Sequence, residues 1–550
     1  MTAADNAPDF PTTAIRGSAM VASADHRATQ AGVDMLKQGG NAVDAAIATN
    51  AVMAVCAPHM CGLGGDLWAL VHHNGEVHCL NASGRSGSGA DSQSLRQEGL
   101  TAMPFLLDIR SVTIPGCVDG WLALHARFGS LPLQVLFGPA IEYATNGHAA
   151  SPLLVGALRT ESRQIRTNLR ELSEQATNTG AVVKRPGVGR TLQAIIAGGR
   201  DAFYLDEFGK GLVRVGQGLF DLADMNASQA EWVEPLTGFA FGVQLYTAPP
   251  NSQGYLTIGS AELATQLAMP DATDATDATD GSRTTDATHD TDGTNSPAWA
   301  HLLIEAATAA AFDRPDVLSD RANGRQLLTE IAKRFATIDP NRATNPGQPI
   351  PSQSGDTTYL CTADAAGMAV SLIQSNAAGF GSGLVEPNTQ INLHNRGMGF
   401  SLVQGHPAEY LPSRRPPHTL SPAMATRDNT FVAAFGTMGG DAQPQILLQL
   451  ASRMFGYNQD PAHAINAPRW ILNGPSTGFD TWSGAPPTVL IEGHANPEWL
   501  TTLAKMGHRV ATAPQFDHNF GHAHAIVVDP DGQLRGAADP RTSIGMAAGI

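Results

Sequence analysis

Residues 355–375 read GDTTYLCTADAAGMAVSLIQS, and this stretch decides the fold. TTYLCTAD and MAVSLIQS alternate like two strands, and the tight connection at residues 364–367 contains a glycine that tolerates positive φ. The sequence therefore predicts a hairpin. Counting back along both arms from this turn places Thr357 opposite Gln374 and beside Ser375, so that two hydroxyls meet at the open end.

The segment before the hairpin, residues 345–356, reads NPGQPIPSQSGD and predicts an exposed loop that ends just before Thr357. A threonine at such a junction can attack its own preceding carbonyl, and hydrolysis of the resulting ester frees a new α-amine. This amine, with an ordinary pKa of about 8, can act as the general base for the same hydroxyl. From the local pattern alone, however, Thr357 and Thr358 are more typical of ordinary strand threonines than of a nucleophile.

The N-terminal part predicts strands and buried helices. MVASA, from Met20, is a short apolar strand, and residues 28–40 predict a helix that ends at paired glycines. Asn41 is a candidate N-cap for a second helix, which is apolar on most faces and therefore predicted to be buried. The glycine-rich turn at residues 61–66, CGLGGD, leads into the strand LWALVHH.

The charge balance argues against two classes of partner. Lys and Arg number 34 and Asp and Glu number 50, for a net charge of −16, which repels nucleic acids and anionic membranes. The five cysteines fit neither a disulfide framework nor a metal clip and are typical of a reducing compartment. The first residues lack the basic flank and apolar run of a secretory signal, so we expect a cytoplasmic protein without a membrane partner.

Residues 271–295, DATDATDATDGSRTTDATHDTDGTN, predict an exposed flexible insert, because they cannot bury enough apolar surface to fold alone. The tract lacks the glycine and terminal glutamate of a calcium loop. His518, His522 and His524 are interpreted as strand and loop histidines rather than as zinc ligands. We expect no metal and no cofactor.

Several separated motifs occur along the chain. The first four are GGNAVDAAIA at residues 39–48, APHMCGLGGD at 57–66, TIPGCVDGW at 113–121 and APPNSQGY at 248–255. The second part adds GDTTYL, GFGSGLV, RPPHTLSPAM, GTMGGDAQPQ and DPRTSIGMAAG. Together these motifs resemble the gamma-glutamyltransferase family over nearly the whole chain outside the Asp/Thr tract.

The resemblance implies a fold and a processing step. The family has the four-layer αββα sandwich of N-terminal nucleophile hydrolases, an α/β arrangement of the α+β kind. Its precursor cleaves before the first threonine of the TT pair, which here is the bond between Asp356 and Thr357. The expected products are a large fragment, residues 1–356, and a small catalytic fragment, residues 357–550. They associate as a heterodimer, which in turn can pair into a dimer of heterodimers.

The resemblance also implies catalytic groups. Thr357 corresponds to the nucleophile, and Ser375 corresponds to a second hydroxyl that supports it. The backbone N–H groups of Gly439 and Gly440 correspond to the oxyanion hole, where a side chain would block the substrate carbonyl.

Departures from the family pattern bear on the substrate. Glutathione-hydrolysing members have a histidine after the TT pair, a Gln and an Asp that hold the substrate ammonium, and two serines before the SP motif. Here these positions are Tyr359, Arg396, Gly399, and His418 with Thr419. Arg396 suits a carboxylate rather than an ammonium. The pattern is similar to the acylase-type branch, which includes glutaryl-cephalosporin acylases and oxamate amidohydrolases.

Arg85 is a second candidate for carboxylate binding, although its motif is shifted by about two residues from the family pattern, and a surface role is equally compatible. We expect an amidohydrolase that acts on a small amide with a carboxylate-bearing acyl group. The alternatives are a gamma-glutamyltransferase or glutathione hydrolase, and an uncleaved relative that only binds small molecules. The sequence contains no P-loop, HExxH or GxSxG motif.

Overall fold

The computed structural model describes residues 12–270, 293–344, 357–473, 479, 481 and 487–550. The strands, numbered in chain order, are β1 Ile15–Gly17, β2 Met20–Ser23, β3 Asp66–His73, β4 Glu76–Ala82, β5 His148–Ala149, β6 Val182–Val183, β7 Glu231–Val233, β8 Leu236–Ala240, β9 Val243–Thr247, β10 Thr358–Ala363, β11 Ala369–Ser375, β12 Leu384–Glu386, β13 Ile391–Leu393, β14 Ala423–Arg427, β15 Thr430–Thr437, β16 Trp470–Asn473, β17 Thr488–Glu492, β18 Val510–Ala513, β19 Ala523–Val528, β20 Leu534–Ala538 and β21 Met546–Gly549.

The α-helices are numbered in the same way. They are α1 His26–Lys37, α2 Ala42–Cys56, α3 Ser92–Gln97, α4 Cys117–Phe128, α5 Leu133–Asn146, α6 Pro152–Thr160, α7 Arg163–Asn168, α8 Arg170–Gln175, α9 Pro186–Tyr204, α10 Glu207–Gly216, α11 Leu222–Asn226, α12 Tyr255–Gln266, α13 Pro297–Ala311, α14 Arg314–Val317, α15 Gly324–Ala332, α16 Gln443–Ala451, α17 Pro461–Asn466 and α18 Pro497–Lys505.

Two large sheets form the centre of the fold. Within the described residues, one sheet has the strand order β21-β2-β10-β11-β3-β4-β7, and the other has the order β1-β20-β19-β15-β14-β9-β8. Neighbouring strands in both sheets pair antiparallel. Each sheet contains strands from both sides of Thr357, so neither half of the chain supplies a complete sheet.

The two sheets pack face to face, and helices cover their outer faces. Met20, Trp68, Tyr359, Phe431 and Ile526 belong to the apolar core between the sheets. On the outside, α1, α2 and α4 pack against the first sheet, while α12, α16 and α17 pack against the second. This arrangement confirms the predicted four-layer αββα sandwich.

The N-terminal predictions are confirmed. Helix α1 ends just before Gly39, which has φ of 85°. Asn41 caps α2 by accepting hydrogen bonds from the N–H groups of Val43 and Asp44, and the Asp44 side chain completes a capping box. Every residue of α2 is buried, as its nearly continuous apolar composition predicts.

The Asp/Thr-rich tract has a different boundary from the predicted one. Residues 271–292 lie outside the described residues, but Gly293–Asn295 form a short helical turn with Thr294 buried. The Thr294 hydroxyl oxygen accepts hydrogen bonds from Arg453 Nη1 at 2.6 Å and from Gln459 Nε2 at 3.0 Å. These last three residues therefore belong to the folded part, because Thr294 satisfies a buried guanidinium.

None of the described helices combines the length and the apolar character that a membrane crossing requires.

Candidate active site

The β10–β11 hairpin has a three-residue loop rather than the tighter turn that the sequence suggests. Asp364 Oδ1 accepts hydrogen bonds from the N–H groups of Ala366 and Met368, and Gly367 takes a φ of 86°. The loop closes through the bond from Asp364 N to the carbonyl of Met368, at 3.0 Å. An Asx turn followed by a left-handed glycine is a common hairpin geometry, and it adds one residue to the loop.

The longer loop shifts the register by one residue. Thr358, not Thr357, lies opposite Gln374. The predicted pairing of Thr357 with Gln374 is therefore wrong, and Thr357 lies at the level of Ser375. The Thr357 Oγ1 and Ser375 Oγ atoms are 3.1 Å apart, and both residues are buried. The two hydroxyls therefore meet at the open end of the hairpin, as predicted, and the two residues lie directly opposite each other.

The backbone after Ser375 contributes to this pair. Ser375 Oγ accepts a hydrogen bond from the N–H of Ala377 at 2.8 Å, and Ala377 has a φ of 80°, which is unfavourable for a residue with a side chain. The serine hydroxyl is thereby fixed in its position beside Thr357. Asp356, on the other side of the predicted cleavage site, lies outside the described residues.

Tyr359 lies in the core between the sheets. Its hydroxyl hydrogen-bonds Ser371 Oγ at 2.9 Å, its ring stacks on His524, and a Cβ at Gly436 would lie 2.2 Å from that ring. These contacts give Tyr359 a packing role, and its side chain is fully buried. Because side chains alternate along a strand, Thr357 points to the same side, into the space between the sheets.

Asp66 is the centre of a buried polar cluster beside the two hydroxyls. It is the first residue of β3 and lies directly opposite Ser375, so that the two side chains project from the same face. Asp66 Oδ2 accepts hydrogen bonds from Arg396 Nε at 2.8 Å and from His418 Nε2 at 3.0 Å, and His394 Nδ1 lies 3.6 Å away. The structure thus brings Arg396 and His418 together on Asp66, at the strand position opposite Ser375.

The charges of this cluster are fixed by burial and by each other. Burial alone would raise the pKa of Asp66, but the Arg396 guanidinium and His418 hold that pKa well below its usual range. Burial and the Arg396 charge lower the pKa of His418 to about 4. A neutral His418 agrees with its contacts, because Nε2 donates to Asp66 while Nδ1 accepts from the N–H of Leu420.

Arg396 uses only part of its hydrogen-bonding capacity within the described residues. Its Nη1 donates to Thr419 Oγ1 at 3.0 Å and its Nε donates to Asp66. Among the residues that the structure describes, Arg396 Nη2 and Asp66 Oδ1 have no hydrogen-bond partner, although both atoms are buried. A buried unpaired donor is costly, so this position favours a ligand acceptor or ordered water.

Gly439 and Gly440 lie between β15 and α16. Both have positive φ, 134° and 56°, which glycine adopts without strain. At Gly439 the conformation and not the space requires glycine, because the nearest atom to an added Cβ would be 3.5 Å away. Gln253 Nε2 donates to the carbonyls of Gly440 and Thr419 and so links this turn to the polar cluster.

Arg85 belongs to a neighbouring cluster. Its guanidinium donates to the carbonyl of Ser228 at 3.1 Å and to Glu231 Oε2 at 3.3 Å, and its side chain is 27% exposed. Arg415 also contacts Glu231, and burial together with the Arg85 charge lowers the pKa of Arg415 to about 10. One half-exposed carboxylate thus faces two guanidiniums.

Sequence reasoning missed Asp66 and His394 as site residues. Asp66 lies in the quoted motif GLGGD and His394 opens the stretch HNRG at residues 394–397, but neither pattern indicates that the two side chains meet. His394 Nε2 also contacts Thr113 Oγ1 at 2.9 Å, which brings a third motif, TIPG, into the same cluster. Among the histidines considered for zinc, His524 lies in β19 and His518 is exposed on a short turn, while His522 is buried.

The comparisons with known proteins agree with this architecture. The family model for gamma-glutamyltranspeptidase matches residues 28–549. The "Glutathione hydrolase-like YwrD proenzyme" of Bacillus subtilis is 33% identical over 96% of this chain and 98% of its own length. The "Oxamate amidohydrolase proenzyme" of Klebsiella pneumoniae is 31% identical over the same two fractions. The crystal structure of cephalosporin acylase from Bacillus halodurans superimposes with a TM-score of 0.86 at 28% identity, covering 100% of this chain and 99% of that one. The chain therefore belongs to the gamma-glutamyltranspeptidase family of amide hydrolases.

Proposed function

We propose that this chain is a self-processing threonine amidase. In the first reaction, Thr357 Oγ1 adds to the carbonyl carbon of Asp356, the C–N bond breaks, and the α-nitrogen of Thr357 takes the proton. Water then hydrolyses the ester and leaves a free carboxylate on Asp356 and a free amine on Thr357. The observation that carries the proposal is the buried pair of hydroxyls, 3.1 Å apart, directly after the segment that would be cut.

The same groups then act on a substrate. The new α-amine of Thr357 accepts the proton of Oγ1, and the oxygen adds to the substrate carbonyl. The N–H groups of Gly439 and Gly440 stabilise the oxyanion, and the leaving amine departs with the proton. Water releases the acyl group from Thr357. Ser375 orients the nucleophile throughout by its hydrogen bond.

The substrate that we propose carries a carboxylate on its acyl group and no α-ammonium. Arg396 is the supporting residue, because its buried Nη2 has no partner among the described residues and a carboxylate oxygen would supply one. Asp66 already compensates Arg396 and is therefore a poor partner for an ammonium. A side chain at Gly399 would meet the carbonyl of Pro417 at 2.6 Å, so an acidic residue does not fit there without movement. The oxamate amidohydrolase and the cephalosporin acylase among the relatives are compatible with this class.

Mass spectrometry of the purified protein tests the processing step. We expect a fragment of residues 357–550 with a free N-terminal threonine. Thr357→Ala should remain one chain and lack hydrolysis, and Ser375→Ala should process and hydrolyse more slowly. Thr358→Ala is the matched control, because Thr358 Oγ1 has no hydrogen-bond partner among the described residues. A hydrolytically active protein that stays intact would refute the proposal, and an intact protein without hydrolysis would favour the uncleaved binding relative.

Paired anilides test the substrate class. Glutaryl anilide should have a higher kcat/KM than gamma-glutamyl anilide, and Arg396→Gln should narrow that ratio. Arg85→Gln is the comparison, since Arg85 already has two partners. A clearly faster gamma-glutamyl compound would place the chain with the glutathione hydrolases, and a ratio that responds only to Arg85→Gln would assign carboxylate recognition to Arg85.

A further inference from the structure

A second cluster of functional side chains lies away from the candidate active site. His301 and Glu305 are one turn apart on α13, and His508 lies between α18 and β18. His301 Nδ1 is 2.7 Å from His508 Nε2, which in turn is 4.0 Å from Glu305 Oε1. The side chains of His508 and Glu305 are 6% and 2% exposed, and His301 is fully buried.

The outer atoms of two of these groups are already held. His301 Nε2 bonds the carbonyl of Asp339 at 2.9 Å, so this nitrogen carries the proton and Nδ1 presents its lone pair. Glu305 Oε2 accepts hydrogen bonds from the N–H and the hydroxyl of Thr344, which leaves Oε1 directed toward the histidines. Such outer partners fix the tautomer and the orientation of ligands in metal centres.

The Glu305 carboxylate has two imidazole rings as its neighbours in this cluster. Among the described residues, no lysine or arginine pairs with Glu305. Two neutral imidazoles and one carboxylate are a common donor set for zinc.

We propose that His301, Glu305 and His508 bind one divalent transition-metal ion of the zinc class. The three ligand atoms lie within 4.8 Å of one another. In a tetrahedral zinc site with bonds of about 2.0–2.1 Å, the ligand atoms are roughly 3.3 Å apart. This value lies between the 2.7 Å from His301 Nδ1 to His508 Nε2 and the 4.0 Å from His508 Nε2 to Glu305 Oε1. His301 Nδ1 and His508 Nε2 need to move apart and Glu305 Oε1 needs to approach His508 Nε2, and each of these two distances changes by less than about 1 Å. Water occupies the fourth position.

The site joins distant parts of the chain. His301 and Glu305 precede Thr357, whereas His508 comes after it. Beside the cluster, the N–H of Ala343 donates to the carbonyl of Met506 at 2.8 Å. The parts of the chain before and after Thr357 are therefore also joined here by a backbone hydrogen bond. A bound ion therefore fastens α13, which precedes the candidate cleavage site, onto the C-terminal part. The ion binding itself does not depend on cleavage.

Zinc uptake by the full-length untagged protein tests the proposal. After dialysis against a chelator, the protein is titrated with Zn²⁺ alone, and bound metal is measured by elemental analysis. We expect about one tightly bound zinc per chain, a higher Tm with zinc, and loss of both effects in His301→Gln and Glu305→Gln. His494→Gln is the matched control, because His494 is a partly buried histidine elsewhere in the C-terminal part and should keep the metal.

Cobalt provides a readout that does not depend on stability. Co²⁺ in the wild type should give the visible absorption of a four- or five-coordinate site, and Glu305→Gln should change or remove it even if that variant is less stable. The uncleaved Thr357→Ala chain should also bind zinc, which separates this result from the processing proposal. The inference is overturned if the wild type binds well below one equivalent, or if Glu305→Gln binds zinc as the wild type does.

Discussion

Replacing Asp66 by Asn tests how the polar cluster beside Thr357 is held together. The substitution preserves shape but removes the only carboxylate that contacts Arg396 among the described residues, and Arg396 and Asp66 have side-chain exposures of 2% and 0%. Breaking a buried pair by removing one partner costs about 3–5 kcal/mol, because the remaining charge stays buried without compensation. A chain of 550 residues has an unfolding entropy of about 1.2 kcal/mol/K, so we expect Tm to fall by roughly 3–4 °C at pH 7.

The measurement is urea unfolding in the Thr357→Ala background, so that every variant is the same uncleaved chain. Asp206→Asn is the control, since its pair with Lys210 is 3.0 Å long but has side-chain exposures of 69% and 55%, and exposed pairs contribute less than about 1 kcal/mol. A double-mutant cycle with Arg396→Gln should give a coupling of at least about 2 kcal/mol. If Asp66→Asn resembles the control, or if the two substitutions are additive, the ion pair does not organise this cluster.

Three further predictions concern other parts of the molecule. The pKa of His418 is about 4 in the folded protein, so as pH falls His418 is protonated in the unfolded state before it is protonated in the folded state. Between pH 6.5 and pH 4 this residue should therefore lower the free energy of unfolding by about 3 kcal/mol. His418→Gln should flatten that part of the pH profile of unfolding. Gly64→Ala should lower the stability of the fold by about 1–3 kcal/mol or more in thermal melts, because the added Cβ would lie 1.9 Å from the carbonyl oxygen of Asn392. Gly62→Ala should be tolerated, since the atom nearest to its added Cβ is 3.5 Å away. Deleting residues 271–292 should leave Tm and activity largely unchanged. Thr294→Val, in contrast, should cost about 1–3 kcal/mol in urea unfolding, because it removes the hydroxyl that accepts a hydrogen bond from Arg453 Nη1.

The hairpin illustrates how far the sequence predicts the site. Alternation and turn residues correctly place Thr357 and Ser375 at one end, because both depend on contacts within about 20 residues. The register is off by one because the side chain of Asp364 organises a three-residue loop, and the glycine position alone does not distinguish loop lengths. Local patterns thus predict the element better than its pairing.

Contacts across the chain explain the parts of the site that the sequence does not predict. Asp66 and Arg396 are 330 residues apart, so their meeting depends on the tertiary fold and not on a local pattern. Tyr359 occupies a position that the family resemblance assigns to the substrate, yet its ring packs between the sheets because Gly436 leaves room for it. The partner of a charged or aromatic residue is a tertiary property, which composition and periodicity do not encode.

The strands that the two halves share also determine the fate of the protein after a cut before Thr357. Strands β10 and β11 lie between β2 and β3, which come from the other side of the cut. The two pieces cannot separate without opening both sheets, so they should not exchange between molecules while folded. If the gene were divided at this codon, both halves would have to be expressed together, because neither half contains all the strands of either large sheet.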